Sequence, residues 1–274
     1  MTDPQRTYGV TSDTASATGD NALALEEIER VGFTTLVDVV SVPLLARMRD
    51  SLDRVLVAQT ANFGGEAGMA AIGDVATARA LLEADPVFLE LLGLPQLEAL
   101  VETLLGPAAL VMQQNGIVMP GEGGDHVQQS WHRDLPYQSW VSTKPLALGA
   151  LLALDAFTAA NGATLFIPGS HRHSTFPSAS FVDRWQMPAL AAAGSIIVFD
   201  AMVFHRGGVN RSSQPRRAVN TLFGIPLLAQ QITFTAKPGM DAKIRRRLGL
   251  DYVPAESADA WRERRRARLQ GDGA

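Results

Sequence analysis

After Gly106 the chain consists of short apolar or alternating runs, and this pattern restricts the fold more than any other feature of the sequence. The runs are too short for long helices, and Gly, Pro, Asn and Ser separate them. Such spacing is typical of antiparallel sandwiches and barrels. We therefore predict a mainly β body built from five runs: ALVMQQNGIVMP, LALGALLALDAF, ATLFIPGS, SIIVFDAMVF and AVNTLFGIPLL.

The segment before this body has the periodicity and capping signals of helices. Leu23–Val31 is a short amphipathic pattern, and VGFTTLVDVV then has strand character. Ser41 is placed to cap the helix VPLLARMRDSLDRVL, whose first turn tolerates Pro43. The glycine-rich stretch FGGEAGMAAIGD predicts a loop, either a mobile lid or an ordinary connector. Further helices are predicted around Val75–Glu83, Pro86–Leu92 and Gln96–Leu105.

The chain is predicted to form one domain in which helices support the β body. Residues 1 to about 20 are polar and predict a flexible arm. The single domain, residues 21–274, would comprise a helical part at about 21–106, a β core at about 107–235 and a C-terminal helical segment at about 236–270. The arginine clusters of that last segment predict a solvated helix face rather than contacts to an anionic substrate.

Composition excludes several kinds of chemistry. The chain has no cysteine and a net charge of -4, which excludes thiolate metal sites and cysteine nucleophiles and disfavours a nucleic-acid partner. The sequence starts without the basic and apolar regions of a signal peptide, and its longest apolar run, Leu146–Leu154, is too short to span a bilayer. These features predict a soluble cytoplasmic protein with a small-molecule substrate and no membrane partner, and they leave its oligomeric state open.

The stretch SWHRDLPYQ places a histidine and an acid two residues apart. In a strand, residues i and i+2 point to the same face, so His132 and Asp134 would project together. Of the five histidines, His205 is the best third ligand, because it follows the run SIIVFDAMVF and ends a strand of the same body. Two histidines and one carboxylate form the facial triad of non-haem iron(II) oxygenases, which leaves three coordination positions open.

Arg216 follows His205 by eleven residues, across the turn-forming stretch GGVNRSSQP. A hairpin there would return Arg216 toward the metal. The far carboxylate of a chelating 2-oxoglutarate needs a fixed bidentate partner, which arginine supplies better than lysine. Strand alternation allows only one of Arg216 and Arg217 to point inward. Taken singly, His132, Asp134 and His205 are each better explained as satisfied core polar groups, but together with Arg216 they favour the metal site.

Three motifs in order, WHRDLPYQ, NGATLFIPGSH and FHRGGVNRSSQPRRA, resemble the phytanoyl-CoA dioxygenase family. The resemblance covers roughly Val111 to Pro226, and IERVGFTTLVDVVSVPLLARMRDSL is similar to the family's usual N-terminus. It implies a mainly β fold with flanking helices, whose core is a double-stranded β-helix of the jelly-roll, cupin-like type. It also implies iron(II), 2-oxoglutarate and dioxygen as cofactor and cosubstrates.

The resemblance assigns the catalytic metal-ligand role to His132, Asp134 and His205, and the binding of 2-oxoglutarate to Arg216. Halogenating relatives of this chemistry replace the carboxylate with a small residue, so Asp134 indicates oxygen chemistry. The implied reaction is oxidation, most simply hydroxylation, of an unactivated C–H bond in a small molecule such as a natural-product intermediate. Succinate and carbon dioxide would be released.

This chain departs from the family pattern at two positions. Many relatives have a tryptophan near Leu151, and many have a serine at Gly207 that helps to hold 2-oxoglutarate. Different side contacts to 2-oxoglutarate are therefore expected. Candidates for these contacts are Gln129, Gln114 and Thr164, and candidates for substrate contacts are Gln138, Tyr137 and Phe204.

Two other functions remain open at this point. One is a non-catalytic jelly-roll protein that binds a metal as a sensor, and the other is a zinc hydrolase with the same ligand set. The intact set of three ligands and one arginine argues against the sensor. The absence of a general-base glutamate in an HExxH pattern argues against the hydrolase. Turnover of 2-oxoglutarate distinguishes the oxygenase from both.

Overall fold

Two antiparallel sheets form the body of the protein. The computed structural model describes residues 21–135, 139–237, 239–252 and 254–271, so the predicted arm at residues 1 to about 20 lies outside the described residues. The main sheet has the strand order β1 (Phe33–Leu36), β7 (Ile196–Asp200), β4 (Ala147–Ala153), β9 (Arg216–Gly224), β3 (Leu110–Met119) and β2 (Thr77–Ala78). The second sheet has the order β6 (Met187–Pro188), β5 (Leu165–Phe166) and β8 (His205–Arg206).

The inner faces of the two sheets pack against each other. Leu151 of β4, Phe199 of β7 and Ala218 of β9 belong to one buried cluster with Phe166 of β5. Because successive residues of a strand point to opposite faces, the odd-numbered neighbours on β9 point the other way and pack against the helices, as Val219 does. The predicted antiparallel β body is therefore confirmed.

Helices cover the outer face of the main sheet and belong to the largest apolar cluster. A buried ion pair also joins two of these helices, because Arg247 donates to Glu98 at 3.1 Å. The helices predicted after Leu23, after Ser41 and before Gly106 are confirmed. None of the helices in the described residues has both the length and the apolar content needed to cross a bilayer. The α-helices of this layer are α1 (Ala22–Arg30), α2 (Val42–Asn62), α3 (Gly65–Ala71), α4 (Leu81–Ala84), α5 (Pro95–Leu105) and α7 (Ala242–Arg247), whereas α6 (Ala179–Trp185) lies in the β body and α8 (Ala258–Gly271) ends the described chain.

The glycine-rich stretch FGGEAGMAAIGD is not a loop. The prediction that it forms a mobile lid or an ordinary connector is therefore wrong. α3 lies inside it, with Met69 buried. Gly64 and Gly65 have positive φ angles of 85° and 72°, which turn the chain out of α2. Glycine adopts such angles without steric cost. The alanines and the methionine that follow then favour a helix.

The helix predicted around Val75–Glu83 is wrong over most of its length. Ala76 and Ala80 have positive φ angles of 57° and 53°, which interrupt a right-handed helix. β2 forms between them and pairs with β3, so this segment extends the main sheet. The next predicted helix is present as a 3-10 helix over Pro86–Gly93, whose first turn is capped by the Asp85 side chain.

Candidate metal centre

A pocket lies between the two sheets, and the empty space in and around it, including its open mouth, is about 370 Å³. Strands of both sheets supply its walls, because their inward residues alternate with residues that face the helices or solvent. Its polar lining consists of Gln128, Thr164, His205, Arg216 and Asn220, and its apolar lining includes Ile117, Met119, Leu151, Phe199 and Ala218.

Backbone hydrogen bonds bring the three predicted ligands together, and one of them, His205, lines the pocket. The N–H groups of His132 and His205 each donate to the other residue's carbonyl at 3.0 Å, and the N–H of Asp134 donates to Ala201 at 2.9 Å. Asp134 Oδ1 consequently lies 3.4 Å from Nε2 of His205 and 3.8 Å from Nε2 of His132. One ligand atom from each residue lies within 4.8 Å of the others.

The orientation of both imidazole rings is fixed through Nδ1. His132 Nδ1 lies 2.7 Å from the Ser130 carbonyl oxygen, and His205 Nδ1 lies 3.0 Å from that of Val203. A carbonyl oxygen only accepts hydrogen bonds, so each Nδ1 carries the proton and each Nε2 carries a lone pair. Nε2 of His132 is buried and has no hydrogen-bond partner among the described residues. Histidines that bind metals are oriented in this way.

The electrostatics of the three residues suit a divalent cation. Burial, followed by the neighbouring His205, lowers the pKa of His132 and keeps its ring neutral. Burial alone would raise the pKa of the Asp134 carboxyl, but His205, His132 and a hydrogen bond from Asn220 outweigh it and lower that pKa. A neutral imidazole at His132 and a charged carboxylate at Asp134 are therefore present together, as metal binding requires.

Aromatic rings pack against the His205 side chain. Its ring stacks on Phe166 at 5.5 Å between centroids and lies 4.7 Å from Phe199. The His205 side chain is only 7% exposed, whereas that of His132 is 26% exposed. The three residues are therefore most exposed on the side of His132, although Nε2 of His132 itself is buried.

Arg216 is a buried cation that has no counter-ion in the part of the chain that the structure describes. Its side chain is fixed by one hydrogen bond from Nε to the Asn161 carbonyl at 3.2 Å and by the ring of Phe157, whose centroid is 4.0 Å from the guanidinium carbon. Burial lowers the pKa of Arg216 to about 10, so the group remains charged at neutral pH. Within the described residues no carboxylate pairs with it, and buried charges are normally paired. The pocket is therefore suited to an anion.

The other three residues predicted to contact 2-oxoglutarate do not all line the pocket. Thr164 lines the pocket. Gln129 does not, because its amide donates to the Gly124 carbonyl at 3.0 Å. Gln114 lies on the opposite face of the main sheet, where its amide donates to Thr221 at 2.9 Å. The structure thus brings Thr164 to Arg216 and leaves both glutamines elsewhere.

The residues predicted for substrate contact are not brought into the pocket by the described structure. Phe204 packs outside the second sheet, in a cluster with Ile167 and Val182, and its ring lies 3.9 Å below the Arg133 guanidinium. Tyr137 and Gln138 lie outside the described residues.

Two pocket residues were missed by sequence reasoning. Gln128 lines the pocket in place of its neighbour, because the 3-10 turn Val127–Gln129 does not follow strand alternation. Asn220 lines the pocket and donates from Nδ2 to Asp134 Oδ2 at 3.3 Å. Its signal was available: it is a polar residue in an otherwise apolar strand, four positions after Arg216 and therefore on the same face.

The two departures from the family pattern both lie in the pocket. Leu151 and Gly207 are among its lining residues. A Cβ atom added at Gly207 would lie 2.4 Å from the terminal methyl carbon of Met119. Met119 thus fills the space that a serine would occupy, which explains why glycine is present.

Comparison with known protein families matches residues 28–218 to the family described as Phytanoyl-CoA dioxygenase (PhyH). The chain belongs to the phytanoyl-CoA dioxygenase family. The match covers more than two thirds of the chain and contains all three predicted ligands and Arg216. The resemblance of the three sequence motifs is therefore confirmed, and this phytanoyl-CoA dioxygenase family member is a non-haem iron dioxygenase.

Curated relatives agree with this family. Rv1501 of Mycobacterium tuberculosis is 30% identical over 228 residues, which cover 80% of this chain and 82% of the relative. Shorter matches include dioxygenase trt7 of Aspergillus terreus, 40% identical over 88 residues, or 32% of this chain and 29% of the relative. Dioxygenase andF of Emericella variicolor is 30% identical over 141 residues, or 49% of this chain and 48% of the relative.

Solved structures show the same fold at low identity. EctD from S. alaskensis, crystallised with 2-oxoglutarate and 5-hydroxyectoine, has a TM-score of 0.62 at 20% identity and covers 85% of this chain and 89% of its own. The non-heme monooxygenase ThoJ, solved as a nickel complex, has a TM-score of 0.58 at 22% identity, with 78% and 81% coverage. The predicted mainly β fold with flanking helices and a cupin-like core is confirmed.

Proposed function

We propose that this protein is an iron(II)- and 2-oxoglutarate-dependent dioxygenase. It oxidises, most simply hydroxylates, an unactivated C–H bond of a small molecule and releases succinate and carbon dioxide. One observation carries the proposal: His205 of a His-Asp-His donor set lines the same pocket as Arg216, a buried arginine with no counter-ion among the described residues. Neither feature alone requires 2-oxoglutarate, but a molecule with a chelating end and a distant carboxylate satisfies both.

His132 and His205 would hold iron through Nε2, and Asp134 would hold it through Oδ1. The donor set fits this metal, because imidazole and carboxylate in a facial arrangement are its usual ligands in oxygenases. The unpartnered Nε2 of His132 supports the assignment. When bound, iron(II) with 2-oxoglutarate would supply electrons for the reduction of dioxygen, which makes dioxygen the oxidant of the substrate.

Arg216 would bind the far carboxylate of 2-oxoglutarate. Phe157 and the Asn161 carbonyl hold the guanidinium in place, so little side-chain freedom is lost on binding. A paired carboxylate also removes the cost of a buried unpaired cation. Ala218, between Arg216 and Asn220 on the same face of β9, has a small side chain that leaves room for the ligand.

The substrate would enter beside His132, the more exposed of the two histidines. Leu151, Ile117 and Phe199 form the apolar side of the pocket and would exclude water from the metal during oxidation. The substrate class we propose is a small molecule such as a natural-product intermediate. EctD, crystallised with the hydroxylated compound 5-hydroxyectoine, supports a small-molecule substrate by similarity of fold.

The test is a visible spectrum of the purified protein with iron(II) and 2-oxoglutarate in the absence of oxygen. A weak charge-transfer band is expected that needs both additions and is absent in His205→Ala. In Arg216→Ala the band should appear only at much higher 2-oxoglutarate, whereas the matched control Arg217→Ala keeps it. After oxygen is admitted, succinate should form. If iron binds but no band and no succinate appear, the proposal fails and a metal-binding sensor or zinc hydrolase is favoured.

A further inference from the structure

The two oxygens of the Asp134 carboxylate have different partners. Oδ1 lies near Nε2 of both histidines, at 3.4 Å and 3.8 Å. Oδ2 instead accepts a hydrogen bond from Nδ2 of Asn220 at 3.3 Å. The orientation of this amide is set by chemistry, since a carboxylate only accepts hydrogen bonds and the N–H side of the amide must face it. One oxygen of Asp134 is therefore held away from the other two ligands.

Asn220 is well placed to hold that oxygen. It lies in β9, with Leu151 of β4 paired on one side and Asn115 of β3 on the other, so its backbone is fixed by two neighbouring strands. Its own Oδ1 is buried and has no partner among the described residues. A buried acceptor of this kind needs a donor from within the pocket, which indicates that Asn220 faces bound ligand or water rather than packed side chains.

The number of oxygens that Asp134 gives to a metal decides how many positions stay open. A carboxylate binds a metal through one oxygen or through both. With one oxygen from Asp134 and one nitrogen from each histidine, an octahedral ion has three positions left, enough for a bidentate ligand and dioxygen together. With both oxygens bound, only two positions remain, and a chelating ligand would occupy them both.

We propose that Asn220 is a positioning residue that keeps Asp134 a one-oxygen ligand and so preserves the third open position. This inference rests on the proposed function, because it concerns the same metal site. It goes beyond the three ligands and the arginine, and it assigns a specific task to a residue that touches no metal.

The experiment compares Asn220→Leu with wild type. Leucine has nearly the same size but removes the amide donor, and Asn220→Ser is a smaller second variant in case leucine disturbs the fold. The matched control is Gln114→Leu, which removes a buried amide that donates to Thr221, the next residue of β9, on the face away from the pocket. Unfolding of the metal-free proteins shows whether each variant is folded.

Two affinities are then measured without oxygen: that for cobalt(II), and that for 2-oxoglutarate on the iron(II)-loaded protein, from the charge-transfer band. Both Asn220 variants should lose roughly 10- to 100-fold in 2-oxoglutarate affinity, the usual effect of removing an outer-shell partner. Their cobalt(II) affinity should change much less, because the released oxygen can bind the metal instead. Gln114→Leu should keep both affinities.

Wild-type 2-oxoglutarate affinity in both folded Asn220 variants overturns the inference while leaving the proposed function intact. An equal loss in Gln114→Leu also overturns it, because the effect would then come from the sheet as a whole. If wild type itself shows no 2-oxoglutarate band, the proposed function fails first and the role of Asn220 fails with it.

Discussion

Arg216 and Arg217 are neighbours on β9, yet their side chains lie on opposite faces of the main sheet. Arg217 points toward the helices, where Nε donates to Asp155 at 3.0 Å and Nη1 donates to Asp53 at 2.8 Å. Arg216 points into the pocket and has no carboxylate partner among the described residues. Arg217 is thus paired with carboxylates of the fold, whereas Arg216 is available to bind a ligand.

This division predicts opposite effects for substitutions at the two positions. Arg216→Lys should lower 2-oxoglutarate affinity by about 10-fold and Arg216→Ala by about 100-fold or more, because two charge-assisted hydrogen bonds are weakened or lost. Arg217→Ala should keep the affinity but lower the free energy of unfolding by about 1–3 kcal/mol. Calorimetric titration and urea unfolding measure the two quantities. Equal losses of affinity at both positions would contradict the assignment of Arg216.

Metal binding should stabilise the folded protein. A divalent ion that binds only the folded state adds about 2.7 kcal/mol at a concentration 100 times its Kd. Cobalt(II) or nickel(II) should therefore raise the Tm of wild type after treatment with a chelator. His205→Ala should lose this rise, whereas His173→Ala, a change at an exposed histidine, should keep it. A rise of the same size in His205→Ala would place the metal elsewhere.

Gly207 and Met119 should be energetically coupled. Gly207→Ser places a Cβ atom 2.4 Å from the Met119 methyl carbon in the present structure, so Met119 must shift. Because the methionine side chain is flexible, we expect destabilisation of at most about 1 kcal/mol. Met119→Ala alone should also destabilise, because it leaves a cavity. The double variant should lose less than the sum of the two single losses. Strict additivity in a double-mutant cycle of unfolding free energies would show that the two sites do not compete for space.

The carboxyl of Asp200, at the end of β7, predicts a pH-dependent loss of stability. Burial raises its pKa to about 6, although its Oδ1 accepts a hydrogen bond from Met202 N–H. Between about pH 4 and 6 the folded state holds a proton that the unfolded state has released, so this group's contribution to stability falls as pH rises. Asp200→Asn should therefore stabilise the protein by up to about 3 kcal/mol above pH 6 and by almost nothing near pH 4.

Asp155→Asn is the control with the opposite sign. Burial would raise the pKa of Asp155, but its contacts with Arg217 outweigh burial and lower it. Its charged form therefore stabilises the fold above the unfolded-state pKa, and the amide variant should be less stable at neutral pH. Urea unfolding of both variants across pH 4 to 8 tests the pair, and a stabilising Asp155→Asn would invalidate the reasoning for both.

Much of the fold was predictable because its strands are short and separated by turn-forming residues. The five predicted runs contain β3, β4, β5, β7 and β9. Backbone angles were not predictable in the same way, because no sequence pattern indicates that Ala76 and Ala80 have positive φ angles. The sequence there has helical composition, and tertiary pairing of β2 with β3 decides the outcome instead.

For the site, the spacing of His132 and Asp134 was informative even though these residues lie outside the regular strands. An isolated bridge between His132 and His205 gives the local extended geometry that the prediction assumed. Gln114 was misplaced because it lies an odd number of positions before Ile117 and Met119, which line the pocket, so strand alternation turns it to the other face. A shift of one residue along a strand moves a side chain to the other face of the sheet, and a single sequence does not show which residues of two strands pair.

One strand carries both Arg216 and Asn220, and this has a consequence for ligand choice. Four residues separate them, about 13 Å along a strand at roughly 3.3 Å per residue. One strand thus fixes the backbone position of the arginine relative to the residue that holds Asp134. Under the proposed function, a 2-oxo diacid one carbon shorter or longer than 2-oxoglutarate should therefore bind more weakly.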